Sequence, residues 1–493
     1  MQKNPYRFAE WKRLIPDIDA VISQMEQTPI LSVGITPYTR IIPSFFLKNY
    51  SIFTVKRSSD VDVMEQLFPM HVLEDRYPDV AKRVHGTGYL IGNFAFQAFL
   101  KSRRITPTLV FNTISEKTIE ELEQWKIPWI GNAPETLSSV MLKGPFRELL
   151  RKLDLPSLPS KTVSREEFLA SPFESLWQEF EGAFVVQRAD KEVGGNDGTF
   201  FIHTSADFER CTSLLSADTR FESVLVSAFV DGYSTSALGC VMKEGILAGP
   251  VQLQLIDVSE SLNGGHPAGC FFGNDMGFHP WGEHIEKTAE DVVKGIGEHL
   301  KGQGYRGIFG IDFLYDKKRD KIFPNECNPR SPGSTTLYSL MLLELGLPPL
   351  EFFHLMAQLD IASSFNFEEV NKTMKTRLPC SHIAFSPKGI TSMELPLLAG
   401  IYEYDPKIPS LDYKRPGISL ADIQNEREFL IIDTVPSLHD SIEQNVPRLF
   451  KFIFKRSIAK SSYEIDAEAA FLVRRFAAIL LEAVEKKKSA PQA

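Results

Sequence analysis

Residues 321–337 read KIFPNECNPRSPGSTTL, a short apolar strand that ends on an acid and an amide, with arginine, proline and glycine directly behind. In an extended chain alternate side chains share a face, so Glu326 and Asn328 project together while Cys327 points away. Upstream, GIFGIDFLY (307–315) is apolar enough to predict a strand buried on both faces, with Asp312 inside it. A charged turn joins the two strands. A carboxylate buried in that way needs protonation, a basic partner or a metal. Asp312, Glu326 and Asn328 together make a hard, all-oxygen donor set that suits Mg2+ and leaves room for phosphate oxygens and water. The same set would accept Mn2+. Taken singly, a buried aspartate is more often a salt-bridge partner than a metal ligand, and an asparagine before proline is often a turn former; the combination is what points to a metal.

The 493-residue chain is too long for one hydrophobic core and predicts three or four domains of roughly 100–150 residues. Its formal net charge of −9, with no basic stripe, argues against nucleic acid as a partner. No apolar run approaches the ~20 residues of a membrane span, and the start MQKNPYRFAEWKR lacks a signal peptide's apolar core. The expectation is a cytoplasmic protein with small-molecule substrates and no membrane partner. Cys211, Cys240, Cys270, Cys327 and Cys380 form no CxxC pair and read as reduced, packed thiols.

Along the chain, PILSVGITPY (29–38), YSIFTVKR and PTLVFN alternate with helical spacers, which predicts a small parallel sheet in residues 1–134. Gly34 reads as a tight strand-to-helix turn, with a phosphate cradle the alternative. A second unit, 135–227, opens on the amphipathic helix SSVMLKGPFRELLRKL and continues with GAFVVQRAD, GTFFIHT and SVLVSAFVDG as antiparallel strands. A third, 228–360, carries the helix HIEKTAEDVVKGIGEHLKGQG and the two strands around Asp312. Residues 361–493 predict an α+β extension whose chemistry is unreadable, with a strand at NEREFLIIDTVPS and a closing amphipathic helix.

Over roughly residues 30–350 these motifs resemble the ATP-grasp superfamily. The resemblance implies an α/β fold in which two lobes hold ATP, beside an N-terminal Rossmann-like pre-ATP-grasp domain. It places Asp312, Glu326 and Asn328 on the magnesium-ligand positions. NPRSPGSTT is similar to the end of this element in D-alanine:D-alanine ligases and other carboxylate-amine ligases. Lys143 matches the first phosphate-contacting lysine, and GAFVVQRADKEVGGNDGTFFI resembles the hairpin with a phosphate-covering loop, here Lys191 with Gly194, Gly195 and Gly198. Ser227, Ala228, Phe229 and Val230 fall on the linker strand whose backbone reads adenine, with the main-chain groups of Ala228 and Val230 at the base edge.

Two departures stand out. Gln187 occupies the place of a second lysine, and Ser227 that of a frequent acid. Gln187 donates hydrogen bonds but carries no charge, so Lys143 must carry more, with Arg188 or Lys191 as helpers. The resemblance implies phosphorylation of a carboxylate by Mg-ATP, then attack by an amine, with an amide or peptide bond formed and ADP and phosphate released. Arg330 is placed to pair with the carboxylate and its acyl phosphate; Arg306, entering the Asp312 strand, is a second candidate or a surface strand-end residue. Substrates are expected to be small carboxylates and amines, amino acids among them. Carboxylation, transfer to a carrier thiol, a non-catalytic nucleotide-binding role and homodimerisation stay open.

Overall fold

The computed structural model describes residues 10–190, 198–218, 221–258, 269–385, 397–405, 408–435, 450–476 and 478. Strands β1 (Ile30–Val33), β2 (Tyr50–Thr54), β3 (Met70–Val72), β4 (Thr108–Val110) and β5 (Trp129–Ile130) form a parallel sheet in the order β3-β2-β1-β4-β5. Both faces of β1 are covered. Ile30 and Ile52 enter the main core, whereas Leu31, Val33 and Phe53 build a separate one with Leu90, Phe96 and Leu109, as expected of a parallel sheet packed on both sides. The strand order reverses between β1 and β4, which leaves a crevice beyond their carboxyl ends.

The second sheet is antiparallel: β6 (Ser160–Ser164), β7 (Phe184–Arg188), β8 (Thr199–Ile202) and β9 (Ser223–Ala228), in the order β6-β9-β7-β8. The aromatic cluster of Phe168, Phe184 and Phe208 fills its covered face. β6 has no counterpart among the strands predicted from the sequence.

The third sheet has eleven strands. β10 (Gly232–Val241) pairs β11 (Ile246–Ala248), and also β12 (Gln252–Ile256), which continues to β13 (Phe271–Asp275). On its other side β10 pairs β14 (Gly307–Asp316), and β14 pairs the edge strand β15 (Lys321–Asn328). The sheet does not end near residue 360. β16 (Ser381–Phe385) pairs β13, and the order runs on through β20 (Phe450–Phe454), β19 (Glu428–Ile432), β17 (Gly400–Asp405) and β18 (Ile408–Arg415). Helix α1 (Lys143–Lys152) lies along β15. Helix α2 (Glu283–Gly302) packs Val292, Val293 and Ile296 over β10 and β11, close enough that Gly297 leaves room for Ile246. Helices α3 (Thr335–Glu344) and α4 (Leu350–Gln358) follow the β15 loop back toward the first sheet. Residues 467–476 are helical. Among the described residues no helix is long and apolar enough to cross a membrane, and the five cysteines are free thiols.

Candidate functional site

Antiparallel pairing sets Asp312 opposite Glu326 and Gly310 opposite Asn328. Residues directly opposed share a face, so the three polar side chains converge on one side of the sheet while Cys327 is buried on the other. The register shifts between Asp312 and Phe313, where Pro324 enters. A proline is tolerated there because β15 is the edge strand.

Every one of the three is covered by a donor. Lys143 Nζ donates to Glu326 Oε2 at 2.6 Å, Asn328 Nδ2 to Asp312 Oδ2 at 3.0 Å, and Arg330 Nη2 to Asn328 Oδ1 at 3.0 Å. Gln254 Nε2 reaches across β10 to Asp312 Oδ1 at 2.8 Å. Burial, and then the charge of Glu326, push the Asp312 carboxyl well above the usual aspartate range, with Lys143 and Arg330 pulling it back. Two carboxylates this close repel unless a cation lies between them. Lys143 partly fills that role here, and a hard divalent cation fits the same oxygen set.

Lys143 is the first residue of α1, and that helix is held to β15 by Arg147. Arg147 is 1% exposed; its guanidinium donates to the Pro324 carbonyl, and to Asn325 Oδ1 at 2.8 Å. Burial lowers its pKa to about 10, with the charge of Glu326 opposing the shift.

Above these groups lies a cavity of about 660 Å3, within the size range of small-molecule sites. Its roof is the second sheet, with Val185, Gln187, Phe201 and Ser227 to Val230; its far end reaches Ser32, Arg40 and Asn112 of the first. Asn112 Oδ1 accepts the Ser331 N–H at 2.8 Å, which ties the first sheet to the NPRSPG loop. The apolar slot under the roof includes Phe229, Ile256, Leu314 and Tyr463.

No family model matches the chain. The arginine-specific large chain of carbamoyl phosphate synthase from Halalkalibacterium halodurans is 22% identical over 259 residues, 52% of this chain and 23% of that protein. The chain thus spans about a quarter of the length of that curated relative. N5-carboxyaminoimidazole synthase from Aspergillus clavatus, solved with ADP and 5-aminoimidazole ribonucleotide, superposes with a TM-score of 0.52 at 10% identity, covering 94% of this chain and 100% of that one. The biotin carboxylase domain of 2-oxoglutarate carboxylase from Hydrogenobacter thermophilus, solved with Mg-ADP and bicarbonate, gives 0.55 at 11% identity over 87% and 86%. The chain has the ATP-grasp fold.

Within that ATP-grasp frame Lys143, Gln187, Ser227 to Val230, Asp312, Glu326, Asn328 and Arg330 all line the cavity. Gln187 is buried there and bonded to Thr199 Oγ1 at 3.3 Å. Lys191, Gly194 and Gly195 lie outside the described residues. Two expectations are corrected. Arg188 does not assist Lys143: adjacent to Gln187 on β7, it points the opposite way and pairs with Asp218 at 2.5 Å. Arg306 is not in the cavity; it is half exposed and pairs with Asp360 at 3.3 Å. Of the main-chain groups expected at the base edge, the Ala228 N–H donates to the Pro159 carbonyl at 3.0 Å, whereas the Val230 N–H has no acceptor among the described residues.

Sequence reading missed Arg147, Gln254, Arg40 and Tyr463. Gln254 had a signal, the polar alternation of VQLQLID (251–257) in an otherwise apolar strand; Tyr463 had none.

Proposed function

We propose that this ATP-grasp chain is an ATP-dependent ligase. It activates a carboxylate as an acyl phosphate and joins it to an amine, an amino acid among its substrates, with ADP and phosphate released. The observation that carries this reading is the convergence of Asp312, Glu326 and Asn328 with Lys143 and Arg330 on one wall of a nucleotide-sized cavity. Mg2+, or Mn2+, held by Asp312, Glu326 and Asn328 would neutralise charge on the phosphates and on the phosphoryl group in flight.

The rest is the work of this chain's side chains. Lys143 exchanges Glu326 for phosphate oxygens when nucleotide enters, because a phosphate offers it more negative charge. Gln187 adds neutral N–H donors. The Val230 N–H and the apolar slot of Phe229, Ile256 and Leu314 accept the base. Arg330 turns from Asn328 to the substrate carboxylate, holding it in line for transfer and then stabilising the acyl phosphate.

The test is ADP formation from Mg-ATP over a panel of amino acids and small carboxylic acids, followed by hydroxylamine trapping without amine. An acid that yields ADP and a hydroxamate supports the reading. Release of AMP and pyrophosphate alongside an amide product rejects it.

A second reading, with bicarbonate as the carboxylate and a carbamate as product, draws on the bicarbonate bound in the Hydrogenobacter domain of the same fold. Bicarbonate-dependent ADP release in the same panel selects it. A non-catalytic nucleotide-binding role is disfavoured by the close pairing of Asp312 with Glu326, which such a protein has no need to maintain.

A further inference from the structure

The inner end of the cavity holds two charged groups that the reaction above does not use. Arg40 follows β1 at the strand-order reversal between β1 and β4, on the crevice side. Its Nε donates to the Val33 carbonyl at 3.1 Å, and its Nη1 to the Thr36 carbonyl at 2.7 Å and to Thr39 Oγ1 at 3.0 Å. Gly34 has no side chain because the guanidinium occupies that space: a Cβ there would lie 1.9 Å from Arg40 Cζ. Three fixed bonds hold the fork rigid. Nη2 has no partner among the described residues, and none of their carboxylates forms an ion pair with Arg40; Asp433, which bears on it at longer range, is itself paired with Lys451 at 3.0 Å.

Facing the same space is the first turn of α4. Glu351 takes a hydrogen bond from Ser339 Oγ and has no basic partner among the described residues. His354, one turn on, accepts the Ile308 N–H on Nδ1 at 3.1 Å, so its proton sits on Nε2. Gly307, in the left-handed region at φ +87°, clears the ring: a Cβ there would meet His354 Nδ1 at 2.1 Å. Burial lowers the pKa of this histidine to about 4, which keeps it a neutral donor, and raises that of Glu351 to about 7. Ser32, Tyr50 and Tyr305 complete the alcove.

A half-buried guanidinium without an anion and a half-buried carboxyl without a cation are each unfavourable. A direct Arg40–Glu351 pair would relieve both, and the fold does not make one, although Tyr50 lies within electrostatic reach of each. A ligand bearing both charges would relieve both. We propose that this alcove is the subsite for the amine substrate and that it takes a free α-amino acid, with its carboxylate on Arg40 Nη2 and His354 Nε2 and its ammonium on Glu351. This deepens the ligase reading and rests on it for the reaction, but not for the binding.

Thermal unfolding of the whole chain with Mg-ADP, and with each of the twenty L-amino acids and their D-isomers, separates the two. At least one amino acid raises the melting temperature, while its amide and its N-acetyl derivative do not. Arg40→Gln, Arg40→Lys and Glu351→Gln weaken that amino acid about tenfold or more, and leave the Mg-ADP shift in place as proof of folding. An amino-acid shift without any Mg-ADP shift sinks the ligase reading and keeps the subsite. A Mg-ADP shift with no response to any of the amino acids, or one untouched by the three variants, overturns the subsite.

Discussion

The Lys143 ammonium lies 2.6 Å from Glu326 Oε2, inside the oxygen set that a divalent cation would use. The contact joins the first residue of α1 to the edge strand β15, and it makes lysine and metal competitors for one carboxylate. Removing the lysine should therefore act in opposite directions on two ligands. Lys143→Met is expected to tighten binding of Mn2+ alone, because Glu326 is released, and to weaken Mg-ATP about tenfold, because a phosphate contact is lost. Calorimetric titration of each ligand checks this, and a variant that weakens both would show that the lysine does not compete for the metal position.

The position of α1 depends on Arg147, whose buried fork spans the register shift of β15. Arg147→Met keeps the bulk and strips the donors from Pro324 and Asn325. A loss of about 2–4 kcal/mol is expected in urea denaturation, with a weaker nucleotide affinity as Lys143 loses its anchor. A variant as stable as the parent would mean that packing alone holds the helix.

Gln187 is buried in the roof of the cavity, bonded only to Thr199 Oγ1 among the described residues. Gln187→Lys should lower the stability of the ligand-free protein by about 1–2 kcal/mol, since a second cation then faces Lys143 without phosphate to share. With Mg-ATP present its affinity should equal or exceed that of the parent. A large loss of affinity in a folded variant would indicate that Gln187 serves a different ligand.

Asp60, in the helix Ser59–Met64, is fully buried; it accepts the N–H groups of Asp433 at 2.8 Å and Val435 at 2.9 Å, which ties the first sheet's unit to the far end of the third. Burial, then the charge of Asp433, raise its pKa from 3.8 to about 7. An acid with a raised folded value favours folding fully below its unfolded pKa, and loses that contribution as pH rises through about 7. Stability should thus fall between about pH 4 and pH 7, and Asp60→Asn should flatten that fall by about 1–4 kcal/mol. Denaturation curves across this range decide it; an unchanged slope would place the titration elsewhere.

How much of this was legible in the sequence follows from the range of each interaction. The Asp312, Glu326 and Asn328 cluster comes from two strands joined by one turn, so the period-two rule alone puts the side chains on one face. The same rule, applied to Gln187 and Arg188, would have shown that only one of them can face the cavity. Arg306 sits next to Gly307, whose positive φ of +87° turns the chain before the strand begins, and no alternation count carries through that turn. Arg40 and Glu351 line one cavity only because the helical segments 18–25 and 42–45 around β1 pack on α4, a long-range packing that no local pattern encodes. The continuation of the third sheet through β16 and β20 was hidden for the same reason: its strands are buried on nearly every position, as in SHIAF (381–385), and give no amphipathic signal.

The central claim is that Asp312, Glu326 and Asn328 hold a metal that carries the nucleotide. Calorimetric titration of a slowly hydrolysed ATP analogue, with and without Mg2+, into the parent and into Glu326→Gln tests it most directly. Binding to the parent should be Mg2+-dependent, and about tenfold or more weaker in the variant while the fold is retained. Equal affinity with and without Mg2+, or an affinity unchanged by Glu326→Gln, would contradict the account.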